Sequence, residues 1–170
     1  MKITTRQLAL CAVLTALALG LSTLENLFPV TLVIPLPGVK LGLANIVTVF
    51  ALYQLGPLPA LCILAARCLL GSLFAGNASA LLFSLLGGTL AMLVMLALSR
   101  LPGLSVYGVS IGGAAAHNIG QMAAALITLG NTAVLGYLPF LLAVSLFTGA
   151  LTGFVSALLL RAISHVKLSH

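Results

Sequence analysis

Six runs of about twenty apolar residues, separated by little more than Gly, Pro and Asn, constrain this chain more than any other feature. A helix needs about 20 mostly apolar residues to cross a bilayer. Such runs fall at roughly residues 6–23, 40–56, 58–75, 78–99, 107–129 and 134–161. The breaks are Gly56-Pro57 with Pro59, Gly76-Asn77, Pro102-Gly103 and Gly130-Asn131, with Pro139 early in the last run. These residues end helices or start turns. No connection is long enough for a second domain. The expectation is a single integral membrane domain over residues 1–170, all-α, with six transmembrane helices.

The composition agrees. Of the 170 residues, 62% are hydrophobic and only 5% charged, whereas soluble domains carry roughly 25% charged residues. The net charge of +6 does not indicate nucleic acid, because the cations are scattered between apolar runs and form no patch. Lys2, Arg6, Arg100, Arg161 and Lys167 fall on one side of a six-span topology and Lys40 on the other. The bias of Lys and Arg toward cytoplasmic loops then puts both termini in the cytoplasm. Lys2, Arg6 and the following apolar run also fit a signal peptide, but the run reads better as the first span. Cys11, Cys62 and Cys68 lie inside apolar runs with no C-x-x-C or Cys/His cluster, and are expected to be buried free thiols.

The first connection, residues 23–39, is apolar and carries Pro29, Pro35 and Pro37. Three prolines oppose a continuous helix. Non-helical backbone at membrane depth must lie against protein or at the interface, so this segment is expected to form an outward-facing cap. A plain interfacial loop is the simpler alternative.

Few residues carry polar chemistry. Glu25 is the one acidic residue, and there is no Asp. Carboxylate-bound Mg²⁺, a metal site and an Asp/Glu proton relay are therefore not expected, and no catalytic residues or cofactor are assigned. Arg67 sits about nine residues, or roughly 14 Å, from either end of the third run. A central Arg costs about 2.5–3.5 kcal/mol on insertion scales, so it must face a protein interior or a wet cavity. Its one internal carboxylate partner is Glu25; otherwise its partner is an external anion. His117 and Gln121 share a helix face, with Asn118 adjacent. Lys40 opens the second run, followed by Asn45 and Thr48. These give the candidate binding set Lys40, Asn45, Arg67, His117, Asn118, Gln121 and Glu25. Each also has a structural reading: helix-end hydrogen bonding for Arg67, snorkelling for Lys40, interhelical bonding for the His117 run. Asn77 is expected to be an N-cap. Ser145, Thr148, Thr152 and Ser156 with Gly149 and Gly153 are expected to mark close helix packing. Ala12, Ala16 and Gly20 form a ladder of small residues that suits either internal packing or contact with a partner helix.

The runs LENLFPVTLVIPLPGVKLGLANIVTVFALYQLG, ARCLLGSLFAG, FSLLGGTLAMLVM and VSIGGAAAHNIGQ resemble the Gx transporter family. Its members are often labelled heptaprenyl diphosphate synthase component I, and the resemblance spans roughly residues 5–160. That family is grouped with the substrate-binding S components of energy-coupling factor transporters. The resemblance implies a six-helix bundle in the bacterial cytoplasmic membrane that binds a small molecule near its outer face. It also implies a transmembrane coupling subunit with ATPases as partner, met through Ala12 and Ala16, with Gly20 continuing the ladder. The expected function is uptake of a small anionic metabolite or vitamin precursor. The alternative is a non-catalytic membrane subunit linked to isoprenoid or quinone synthesis, or to flavin-linked electron transfer. A structural protein without ligand is a third class. The Asp-rich motifs of prenyl diphosphate synthases are absent.

Overall fold

The computed structural model describes residues 5–27 and 42–163. Six α-helices follow in order: α1 (Thr5–Leu27), α2 (Asn45–Gln54), α3 (Pro57–Ala75), α4 (Ala78–Leu98), α5 (Val106–Leu129) and α6 (Leu138–Ile163). A short 3₁₀ helix, Thr132–Tyr137, leads into α6. The described residues contain no strand.

Local chemistry sets the helix ends. Asn77 accepts a hydrogen bond from the Ser79 backbone N–H and caps α4, as expected, and Ser105 caps α5 in the same way. Gly76 and Gly130 close α3 and α5 in the left-handed conformation, with φ of +61° at both, which glycine adopts without a Cβ penalty. Pro57 opens α3 where a missing N–H costs nothing. Pro139 stands in the first turn of α6 for the same reason.

Two of the expected spans come out differently. α1 runs a turn further than predicted, so residues 23–27 extend the helix and do not begin a cap. The remainder of the expected cap, residues 28–39, and Lys40 lie outside the described residues. The second run, predicted over 40–56, is helical only over the ten residues of α2. At 1.5 Å per residue α2 rises about 15 Å, half of a hydrocarbon core of about 30 Å. Four helical segments are long and apolar enough to cross a membrane: α1, α3, α4 and the Thr132–Ile163 unit containing α6. α5, with 24 residues, has the length, but its centre carries the polar His117–Gln121 run.

Short connections from α2 onward make successive helices alternate in direction, and the end of α1 meets the approach to α2 through Glu25 and Gly42. α3 packs on α4, α4 on α5 and α5 on α6, while α1 lies against α3. α2 touches α1, α3, α4 and α6 and is buried from Asn45 to Leu52. It therefore plugs the bundle and offers lipid almost nothing. The alternation leaves the ends at Thr5 and Ile163 on the same face of the bundle.

Without a hydrophobic force between helices in lipid, close packing of small residues holds a membrane bundle together. The tightest crossings follow that rule. A Cβ on Gly149 would lie 2.6 Å from the Ile111 Cα, and one on Gly153 would lie 2.9 Å from the Tyr107 Cα. The small and hydroxylated stripe on α6 is thus its contact with α5, as expected, with Ser145, Thr152 and Ser156 buried beside the glycines. Between α4 and α5, a Cβ on Gly120 would strike the Leu86 carbonyl and stand 2.8 Å from the Gly87 Cα. On α1 the pattern reverses. Ala12, Ala16 and Gly20 are exposed, and a Cβ on Gly20 would meet nothing within 4 Å. Among the described residues this ladder is not used for internal packing.

The same substitution should therefore have opposite outcomes on the two ladders. Gly149→Ala is expected to lower the melting temperature of the detergent-solubilised protein, through overpacking worth about 1–3 kcal/mol. Gly20→Ala should leave it unchanged or slightly raised, given alanine's better helix propensity. Equal melting temperatures for the two variants would show that the α5–α6 crossing is looser than described.

Candidate functional site

Four helices, α1, α2, α3 and α5, send polar groups to one point inside the bundle. Arg67, on the inner face of α3, is 9% exposed. Its Nη2 donates to Asn45 Oδ1 on α2 at 3.2 Å. Glu25, near the end of α1, is 4% exposed and accepts a hydrogen bond from the Gly42 backbone N–H just ahead of α2. Gly42 holds φ at +85°, a conformation that favours glycine, and this bends the chain so that its N–H meets Glu25. From α5, His117 and Gln121 are buried on the face turned to α4.

Glycines make room for this cluster. A Cβ on Gly87 would lie 3.0 Å from the His117 ring and 3.1 Å from Gln121 Cγ. A Cβ on Gly88 would lie 2.7 Å from Leu64 Cδ1 and 3.5 Å from Arg67 Nη2. The Gly87-Gly88 pair on α4 thus lets the imidazole and the guanidinium approach the same stretch of backbone from opposite sides.

The groups enclose a chamber of about 20 Å³. Ser22 and Glu25 line it from α1, Gly42 from the approach to α2, Arg67 from α3, Phe83 and Ser84 from α4, and His117 and Gln121 from α5. It lies in the half of the bundle away from the two chain ends. This volume is about enough for one water molecule and far below that of a metabolite pocket. Arg67 Nε is buried with no hydrogen-bond partner among the described residues.

Of the residues singled out in the sequence, Glu25, Arg67, His117 and Gln121 line this chamber, and Asn45 joins it through Arg67. Asn118 does not. Its Nδ2 donates to the Leu141 carbonyl of α6 at 2.8 Å, because one residue along a helix turns the side chain by about 100°. Lys40 lies outside the described residues. Ser22, Phe83, Ser84 and the Gly87-Gly88 pair escaped sequence reading. Isolated serines and glycines in an apolar helix carry no signal, though the doubled glycine near the middle of α4 was a hint. The three cysteines are free, and only Cys68 is buried. No group of three or more His, Cys, Asp or Glu suited to a metal occurs among the described residues.

A second concavity differs in kind. Leu14, Leu17 and Leu21 of α1, Ile46, Val47 and Phe50 of α2, and Val155, Leu159 and Ile163 of α6 line a crevice of about 240 Å³. Its walls are wholly apolar. α2 forms the floor between α1 and α6.

Hydrogen bonding of a charged group is worth about 1.5–3 kcal/mol. Asn45→Ala should therefore destabilise the protein by an amount in that range, read as a lower melting temperature in detergent. Asn45→Asp, which keeps an oxygen toward Arg67, should be milder. A melting temperature unmoved by Asn45→Ala would show that Arg67 is satisfied by other groups.

No curated protein and no solved structure matches the chain. A family described as heptaprenyl diphosphate synthase component I matches residues 14–159, a stretch that takes in every residue of both concavities except Ile163. On that match, the chain belongs to the heptaprenyl diphosphate synthase component I family.

Proposed function

We propose that this protein is a membrane-embedded binding component for a small polar metabolite with an anionic group, working with a separate energising partner. The observation that carries this reading is the convergence of Glu25, Asn45, Arg67, His117 and Gln121 from four helices on one buried point. Burying a guanidinium at membrane depth is costly and by default marks a functional site. Packing alone would be served better by apolar side chains of similar volume. Arg67 would pair with the anionic group, while His117 and Gln121 would orient the remainder by hydrogen bonds. Glu25 offsets part of the positive charge, which favours a ligand that also carries donors over a bare anion.

The exposed Ala12, Ala16 and Gly20 ladder supports a partner helix on α1, since these positions are exposed among the described residues. Arg6, Arg100 and Arg161 all stand on the bundle face that carries the chain ends. The positive-inside bias makes that face cytoplasmic, and the chamber then lies in the outer half of the membrane. The chain has a single carboxylate and no Asp, so neither ATP hydrolysis nor Mg²⁺-dependent diphosphate chemistry is assigned to it.

A second reading is favoured by the apolar crevice and by the family's description. In that reading the protein is a non-catalytic subunit that holds a prenyl chain for a separate synthase. Copurification with a prenyl synthase, and altered prenyl product on deletion, would support it over the first.

The purified protein, screened by thermal shift against a panel of vitamins and phosphorylated precursors, should be stabilised by at least one compound. Arg67→Gln should weaken that binding at least tenfold while the variant still folds. A panel without any stabilising compound, together with no small molecule released from the purified protein, would reject the first reading. Ala16→Leu should preserve the fold and the ligand response but abolish copurification of an energising partner. Retention of that partner would remove the ladder from the interface.

A further inference from the structure

The chamber is too small for the metabolite it is proposed to bind, so on that reading the described state is the closed one, and specific contacts stand beside the chamber. Gly42 and Asn45 stand at the amino-terminal approach to α2. The first is tied to Glu25 on α1 through its backbone N–H, and the second to Arg67 on α3 through its side chain. A Cβ on Gly42 would lie 3.0 Å from Asn45 Nδ2 and 3.9 Å from the His117 ring. The entry to α2 therefore sits directly over the polar groups, on the side of the chamber away from the chain ends. α2 itself is ten residues long. Its amino-terminal end enters through two turn residues, Leu43 and Ala44, with the Asn45 and Ile46 N–H groups donating to the Gly42 and Leu43 carbonyls.

We infer that Glu25 is a latch: its carboxylate holds the Gly42 N–H and so keeps the amino-terminal end of α2 closed over the chamber. Opening releases that bond and then the Asn45–Arg67 bond, which frees the guanidinium at the moment a ligand arrives to replace Asn45. Glu25 is then a positioning residue for α2, acting on the ligand through the gate. This deepens the proposed binding function and rests on it for its biological meaning, but the latch itself is testable without a ligand.

The test uses a reporter thiol at Ser84, a lining residue on α4. The Ser84→Cys protein, purified in detergent, is treated with a charged, water-soluble methanethiosulfonate reagent. The labelling rate at position 84 is read by peptide mass spectrometry, which separates it from the three native cysteines. With Glu25 intact the reporter should react slowly. Adding Glu25→Ala should raise the rate at least tenfold. Glu25→Gln, whose amide oxygen still accepts from the Gly42 N–H, should stay within a few-fold of the parent. An unchanged rate in the Ala variant would overturn the latch. Equal acceleration by Ala and Gln would overturn it as well, because the hydrogen bond would then not be what holds the gate. If Glu25→Ala does not fold, Gly42→Ala replaces it, since a side chain there is strained at φ +85° and crowds Asn45. That variant should also accelerate labelling, and a parent-like rate in it would reject the proposal. Accelerated labelling combined with an empty ligand screen would leave the latch standing and reject the binding function instead.

Discussion

A guanidinium at membrane depth must be enclosed by protein, and the rest of this bundle is arranged around meeting that requirement. Arg67 cannot face lipid without a penalty of about 2.5–3.5 kcal/mol, so α3 turns it inward. Asn45 supplies an acceptor, which fixes where α2 must lie. α2 in turn is short and buried on nearly all sides, because a helix that carries a polar acceptor to the centre of the bundle has to sit inside it. The Gly87-Gly88 pair leaves space on α4 for the guanidinium and the imidazole. One charge thus accounts for an unusual helix and a glycine pair.

That arrangement gives the bundle two interiors. One is polar, small and enclosed, in the half away from the chain ends. The other is apolar and lies between α1 and α6 over the floor made by α2. The two share α2, whose Asn45 turns toward Arg67 while Ile46, Val47 and Phe50 face the crevice. A shift of α2 would alter both together. The family's description names an enzyme of prenyl chain synthesis, while the chamber presents a guanidinium, an imidazole and an amide, with no pair of carboxylates to hold Mg²⁺. The proposed binding role beside a separate partner would reconcile the two.

Much of the fold was legible in the sequence because its punctuation is unambiguous. Gly56-Pro57, Gly76-Asn77 and Gly130-Asn131 fall at the ends of α2, α3 and α5, and the predicted bounds of α3, α4 and α5 lie within a residue of those found. His117 and Gln121 were legible as one face because four residues make slightly more than one helical turn. Asn118 was not legible, since hydrophobic periodicity fades in a run as rich in Ala and Gly as the start of α5. The shortness of α2 was hidden for a related reason. Residues 40–56 are apolar enough to span, and nothing local shows that Leu43 and Ala44 turn before the helix starts. Glu25 stood out by rarity, yet its bond to the Gly42 backbone is a tertiary fact that no spacing encodes.

The central claim is that the groups around Arg67 form a ligand site. An experimental structure of the protein purified from its native membrane tests this most directly. The account predicts non-protein density in contact with the Arg67 guanidinium and near His117 and Gln121, in a chamber several times larger than about 20 Å³. A chamber of unchanged size in every preparation, holding at most water and with Arg67 still bound to Asn45, would contradict it and make the cluster a structural polar core.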